Sequence, residues 1–169
     1  MRICIWALRW TLNLVIGASA LGLAATETRA APRSSAAASL KPFNDAFTEA
    51  TRGMDNAAVL ALWAEDGVSL LPMTAPLTGK AKIGAFLKSI ATDHPAARME
   101  AFTNHCFDAA VSGDWASEWC LEHQIVSEPG KAKFDSWGKM LLVLHRDASG
   151  RWLLNREMWN QAAAPAGGS

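Results

Sequence analysis

Glu157, His105, His123, Cys106 and Cys120 are the side chains of this sequence best suited to move a proton or hold a metal. Read as a strand, the stretch "GRWLLNREMWNQ" over 150–161 puts Glu157 and Trp159 on one side and Arg156 and Met158 on the other. A carboxylate set among tryptophans has a raised pKa, whereas a nearby histidine favours its ionised form; either state serves proton transfer near neutral pH. The two histidines and two cysteines, in "NHCF" and "WCLEH", also match a zinc set by composition, and the step from Cys120 to His123 is a ligand-like gap.

Strand alternation decides which of these side chains can meet. After the turn "SGD", one face carries Trp115, Trp119, Leu121, His123 and Ile125, and the other Ala116, Glu118, Cys120, Glu122 and Gln124. In the preceding strand Met99, Ala101, Thr103, His105 and Phe107 alternate with Glu100, Phe102, Asn104, Cys106 and Asp108. The first set of each pair is the more apolar and is expected to be buried. A tight turn through Ser112 and Gly113 places His105 opposite Leu121 and Cys106 opposite Cys120. His105 and His123 are therefore expected to point inward with Trp119 nearby, and the cysteines outward, either bridged across the hairpin or packed as two thiols. Adjacent residues and residues three apart face opposite sides of a strand, so the four cannot converge on one ion, and no metal is expected.

The elements that would carry these residues occupy most of the chain. Arg2 and Arg9 precede an apolar run from Trp10 to Ala25, and Thr28-Arg29-Ala30 offers small residues at a cleavage site, so 1–30 read as a cleaved secretory signal. The run is shorter than the ~20 residues a membrane span needs. Taking three arginines and one glutamate from 16 basic and 16 acidic residues leaves a net charge near −2. With no basic stripe to hold a phosphate backbone, nucleic acid is excluded as a partner. No membrane association is expected after cleavage, and the product is periplasmic or secreted.

Residues 31–39, rich in Ala, Ser and Pro, read as a flexible leader, 40–161 as one domain, and 162–169 as a tail. Phe43, Ala46, Phe47 and Ala50 recur at helical spacing, with Gly53 as a stop. Asp55 or Asn56 caps a second short helix carrying Leu60 and Trp63 and ended by Gly67. "VSLLP" at 68–72 reads as a strand, and Ile83, Phe86, Leu87 and Ile90 as the stripe of a third helix closed by His94-Pro95. The period then changes to two, with strands near 98–110, 115–126, 134–146 and 151–160. Helices followed by a long meander describe an α+β domain with helices on one sheet face.

"LWAEDGVSLLP", "GKAKIGAFL", "SGDWASE", "WGKMLLVL" and "GRWLLNREMWN", in this order from about Phe43 to Asn160, resemble the SnoaL-like domains of the nuclear transport factor 2-like (ketosteroid isomerase-like) superfamily. The resemblance implies a curved antiparallel sheet wrapped around a helix, a cone with an apolar cavity, and a homodimer through the outer sheet face. It also implies that Glu157 and Trp159 face the cavity, with Asn155 one step deeper and Arg156 outside. The isomerase residues themselves are missing. Leu71 stands where those enzymes carry the proton-abstracting aspartate and Gly138 where they carry the acid that donates to the oxyanion; the sequence contains no tyrosine.

Two readings of function follow. One is a cofactor-independent isomerase, cyclase or lyase in which Glu157, His123 and His105 act as acid and base on a mostly apolar small molecule walled by Trp63, Trp119, Asn155 and Trp159. The other is a non-catalytic ligand-binding or dimerisation module, in which the histidines and tryptophans are packing residues. "GxSxG" and "GxGxxG" are absent, so neither a hydrolase triad nor a dinucleotide site is expected.

Overall fold

The apolar stripe of the first helix is longer than Phe43 and Phe47 alone. The computed structural model describes residues 33–165, and in it α1 spans Arg33–Arg52, burying Ala36, Leu40, Phe43, Phe47 and Ala50. These five recur at alternating steps of four and three, one face of a helix. The stretch expected to be a flexible leader is thus helical from residue 33, because Ala36 and Leu40 extend the stripe by two turns. The signal segment lies outside the described residues. Pro42 sits inside α1 on its exposed side.

Asp55 caps α2 (Asn56–Ala61) by accepting from the Ala58 backbone N–H. Trp63, expected on this helix, instead opens strand β1 (Trp63–Leu70), which replaces the strand read over 68–72. Gly67 is no helix stop. A Cβ there would lie 2.7 Å from Trp63 Cε3, so the missing side chain lets the indole fold back against the strand. A two-residue β2 (Leu77–Thr78) follows, then α3 (Lys80–Asp93).

The meander consists of β3 (Arg98–Ser112), β4 (Trp115–Ser127), β5 (Phe134–Arg146) and β6 (Trp152–Ala162), close to the sequence reading; Ala162, assigned to the tail, is the last residue of β6. The six strands form one sheet in the order β2-β1-β6-β5-β4-β3. Only the β1–β6 pair is parallel, so the sheet is mixed and not wholly antiparallel as expected. The helices lie on one face, with α1 across β3, and the core of Leu40, Phe43, Phe102, Met140, Leu142, Leu144 and Leu154 fills the space between. This is an α+β domain with a covered and an open sheet face. Among the described residues no helix is long and apolar enough to cross a membrane.

Candidate acid/base site

Strand β6 carries the acid. Val143 pairs with Arg156 and Leu144 with Leu154, so Asn155 is an extra residue in β6. Such a bulge resets the alternation of a strand. Trp152 and Leu154 before it, and Glu157 and Trp159 after it, consequently face the same covered side, where Glu157 pairs with buried Leu142 and Trp159 with buried Met140. The bulge is held by polar bonds. Asn155 Nδ2 donates to Asp66 Oδ1 (2.9 Å), and the Arg156 guanidinium donates to Asn155 Oδ1 (2.6 Å) and to the Asp66 carbonyl (3.1 Å). Asn155 is thus occupied in fixing the bulge, while Arg156 is exposed.

Glu157 is the most perturbed acid of the described residues. Burial pushes its pKa from an ordinary 4.5 to about 7; the Ser69 hydroxyl, donating to Oε2 at 2.6 Å, opposes the rise, and the charge of Glu122 adds to it. Glu122 lies on the same sheet face. Its Oε1 accepts from Trp159 Nε1 (2.6 Å) and from Gln124 Nε2 (3.4 Å), and burial raises its pKa against the indole bond. Gly138, opposite Glu122 on β5, makes this arrangement possible: a Cβ there would overlap Trp159 Nε1 and lie 2.7 Å from Glu122 Oε1. The position without an isomerase-type acid is therefore filled by a carboxylate–indole pair from the neighbouring strands.

The histidines are elsewhere, and this corrects the alternation read from sequence. His105 and His123 lie on the open face. His123 Nε2 is 2.8 Å from Asp135 Oδ1 and its ring stacks on Trp137 with centroids 4.5 Å apart; His105 is exposed beside Phe107. Neither shares a space with Glu157. Trp119 is also on this face, 47% exposed, and Trp63 is buried in the core under β1. The cysteines, expected outside, are on the covered side and form the Cys106–Cys120 disulfide, with the cross-strand pairing read from the sequence. Cys106, Glu118 and Cys120 bring ligand-type atoms within 4.8 Å of one another, but the disulfide takes both sulfurs.

The error has a physical source. Apolar content does not mark the buried face here, because the open face carries an unbroken apolar row. Phe107, Trp119, Leu141, Met158 and Leu70 pair strand to strand across the sheet. Phe107, Trp119 and Met158 are 49%, 47% and 46% exposed. A charged residue would have identified the face. Lys139 pairs with Leu121 and is exposed, so the odd positions of β4 and β5 are the solvent side. With that parity, Glu118 and Glu122, set aside by the sequence reading, become buried acids. The interior expected to be apolar is acid-lined.

Neither a protein-family model nor a curated protein sequence matches the chain. Solved structures do. A ketosteroid isomerase-like protein from Erwinia carotovora atroseptica aligns with a TM-score of 0.65 at 19% identity, over 75% of this chain and 96% of that one. A conserved protein from Planctomyces limnophilus aligns at 0.65 and 20%, over 77% and 100%. ActVI-ORFA from Streptomyces coelicolor aligns at 0.55 and 23%, over 73% and 95%. Together with the strand order and the helices on one sheet face, these likenesses establish that the chain has the ketosteroid isomerase-like, nuclear transport factor 2-like fold.

Proposed function

We propose that this is an exported small-molecule-binding protein in which Glu157 acts as general acid and base on a mostly apolar substrate, in a cofactor-independent isomerase-, cyclase- or lyase-type reaction. The observation that carries the reading is a half-buried carboxyl whose pKa is raised to about 7, hydrogen-bonded through one oxygen to Ser69, with a second raised carboxyl, Glu122, on the same sheet face. An acid poised there is half-ionised near neutrality, where proton abstraction and return are both accessible. Fold alone does not assign a reaction. A β,γ-unsaturated ketone is a direct probe: the base removes the α-proton, the resulting dienolate is reprotonated at the γ-carbon, and conjugation is read by ultraviolet absorbance. Turnover rising with pH through about 7, and lost in Glu157→Gln while binding of the saturated ketone persists, is the expected result. Equal loss of binding and turnover would count against the catalytic role.

The disulfide supports export, since such bonds persist in oxidising compartments. Intact mass of the protein from its own host, showing a chain starting after Ala30, is the check; retention of 1–30 would oppose it.

The apolar row on the open face favours a second reading, a dimerisation module, and is compatible with the first. Contiguous exposed apolar surface marks interaction sites, and the cross-strand run of Phe107, Trp119, Leu141 and Met158 would be covered by a second copy of itself. Sedimentation should give a dimer that Trp119→Glu converts to a folded monomer. A monomeric parent protein would remove this reading.

A further inference from the structure

The acid that the proposed reaction does not use is Glu118 on β4. It is 2% exposed, and it stands in the same cross-strand row as Leu142 and Glu157, with fully buried Leu142 between the two acids. Glu118 instead faces a separate cavity of about 300 Å³ between α1 and β3, at the edge of the sheet away from Glu157. Asn44 of α1 and Asn104 of β3 line the same cavity, with Ala37, Ala109 and the Cys106 end of the disulfide completing its apolar wall.

The hydrogen bonding around this cavity is incomplete, and mostly on the acceptor side. Asn44 Nδ2 donates to Glu118 Oε2 at 3.1 Å. Glu118 Oε1, Asn44 Oδ1 and both amide atoms of Asn104 are buried without a protein partner. Leaving one such group unsatisfied costs about 1–3 kcal/mol, so a polar ligand that met several of them at once would be held here. Three of the four are oxygens, one of them on a carboxylate. The cation nearest on the cavity rim, Lys41, is already bonded to Asp45 at 2.6 Å. The unmet demand is for positive charge and for N–H donors.

We propose that this cavity binds the protonated end of a small primary amine, its three N–H groups donating to Glu118 Oε1, Asn44 Oδ1 and Asn104 Oδ1 and its alkyl stem lying against Ala37, Ala109 and the disulfide. An ammonium carries three donors and no acceptor, which matches the three oxygens and leaves only Asn104 Nδ2 unpaired. A charge-assisted bond to a desolvated carboxylate is stronger than a neutral one. Burial raises the pKa of Glu118 with only the Asn44 amide opposing it, so the acid lacks a counter-charge of its own.

Calorimetric titration of the folded protein with n-butylammonium, butan-1-ol, tetramethylammonium and potassium tests the assignment. Butylammonium should bind at least about tenfold more tightly than each of the other three, and about tenfold less tightly to Glu118→Gln, a change of about 1.4 kcal/mol. It should also shift the Asn104 side-chain amide resonances, which report the cavity directly. Equal affinity for butan-1-ol would mean a neutral ligand, equal affinity for potassium a monovalent-ion site, and no heat with any of them a water-filled void; each overturns the proposal. Should Glu118→Gln not fold, Asn104→Ala gives the same reading from the opposite wall, and unchanged butylammonium affinity in it would also overturn the assignment.

Discussion

The two faces of this sheet exchange the roles that composition assigns them. The covered face, under α1, carries Glu118, Glu122 and Glu157 among Met140, Leu142 and Leu144; the open face carries Phe107, Trp119, Leu141 and Met158 in a row. Burying a carboxylate is costly unless it is hydrogen-bonded or protonated. Here each acid has only neutral donors, Asn44 for Glu118, Trp159 and Gln124 for Glu122, and Ser69 for Glu157, and each has a raised pKa. The comparison teaches that hydrophobicity reports what a face meets, whether core or partner, and that only charge placement separates the two.

The contrast can be broken most forcefully in one residue pair. Leu142→Ala, on the covered face and fully buried, should cost about 2–5 kcal/mol in urea unfolding, the range for large-to-small changes in a packed core. The same change at its neighbour Leu141, on the open face, should cost under about 1 kcal/mol in the monomer. Similar losses at both positions would show that the open face is packed against something in the monomer itself.

Titration sharpens the contrast next. Because the pKa of Glu157 is raised, the folded protein keeps a proton that the unfolded chain releases between about 4.5 and about 7. Stability from this group is full below 4.5 and is lost as pH rises through about 7, by up to about 3 kcal/mol over that window. Glu157→Gln should flatten that part of the stability profile. An unaltered slope would locate the proton uptake in Glu118 or Glu122, which share its direction.

The smallest expected effect is at the histidine displaced from the site. His123→Ala removes an exposed pair with Asp135 and a stacking contact with Trp137, and should change stability by no more than about 0.5–1 kcal/mol, with turnover of the ketone probe unaffected. A large loss of turnover would return His123 to the mechanism.

Much of the fold is legible residue by residue. Ile83 and Leu87 give α3, and the turns at Gly113, Gly130 and Gly150 give the meander and the Cys106–Cys120 register, because these signals are local. The beginning of α1 was hidden by its Ala- and Ser-rich composition, although Ala36 and Leu40 continue the stripe. In sequence Gly67 resembles a helix stop and so places Trp63 on a helix, and only contact with the indole gives that glycine its role.

By itself, then, the sequence determined the four strands of the meander and their order, the pairing of the two cysteines, and the common side of Glu157 and Trp159, since periodicity and turn chemistry act over a few residues. Tertiary structure decided which side was inside. The position of α1 across β3, the bulge at Asn155 and the gap at Gly138 turned Glu118, Glu122 and Glu157 toward the interior and left His105 and His123 outside. The physical reason is that alternation fixes relative orientation along a strand, while the choice of buried face depends on which side of the sheet a distant helix covers.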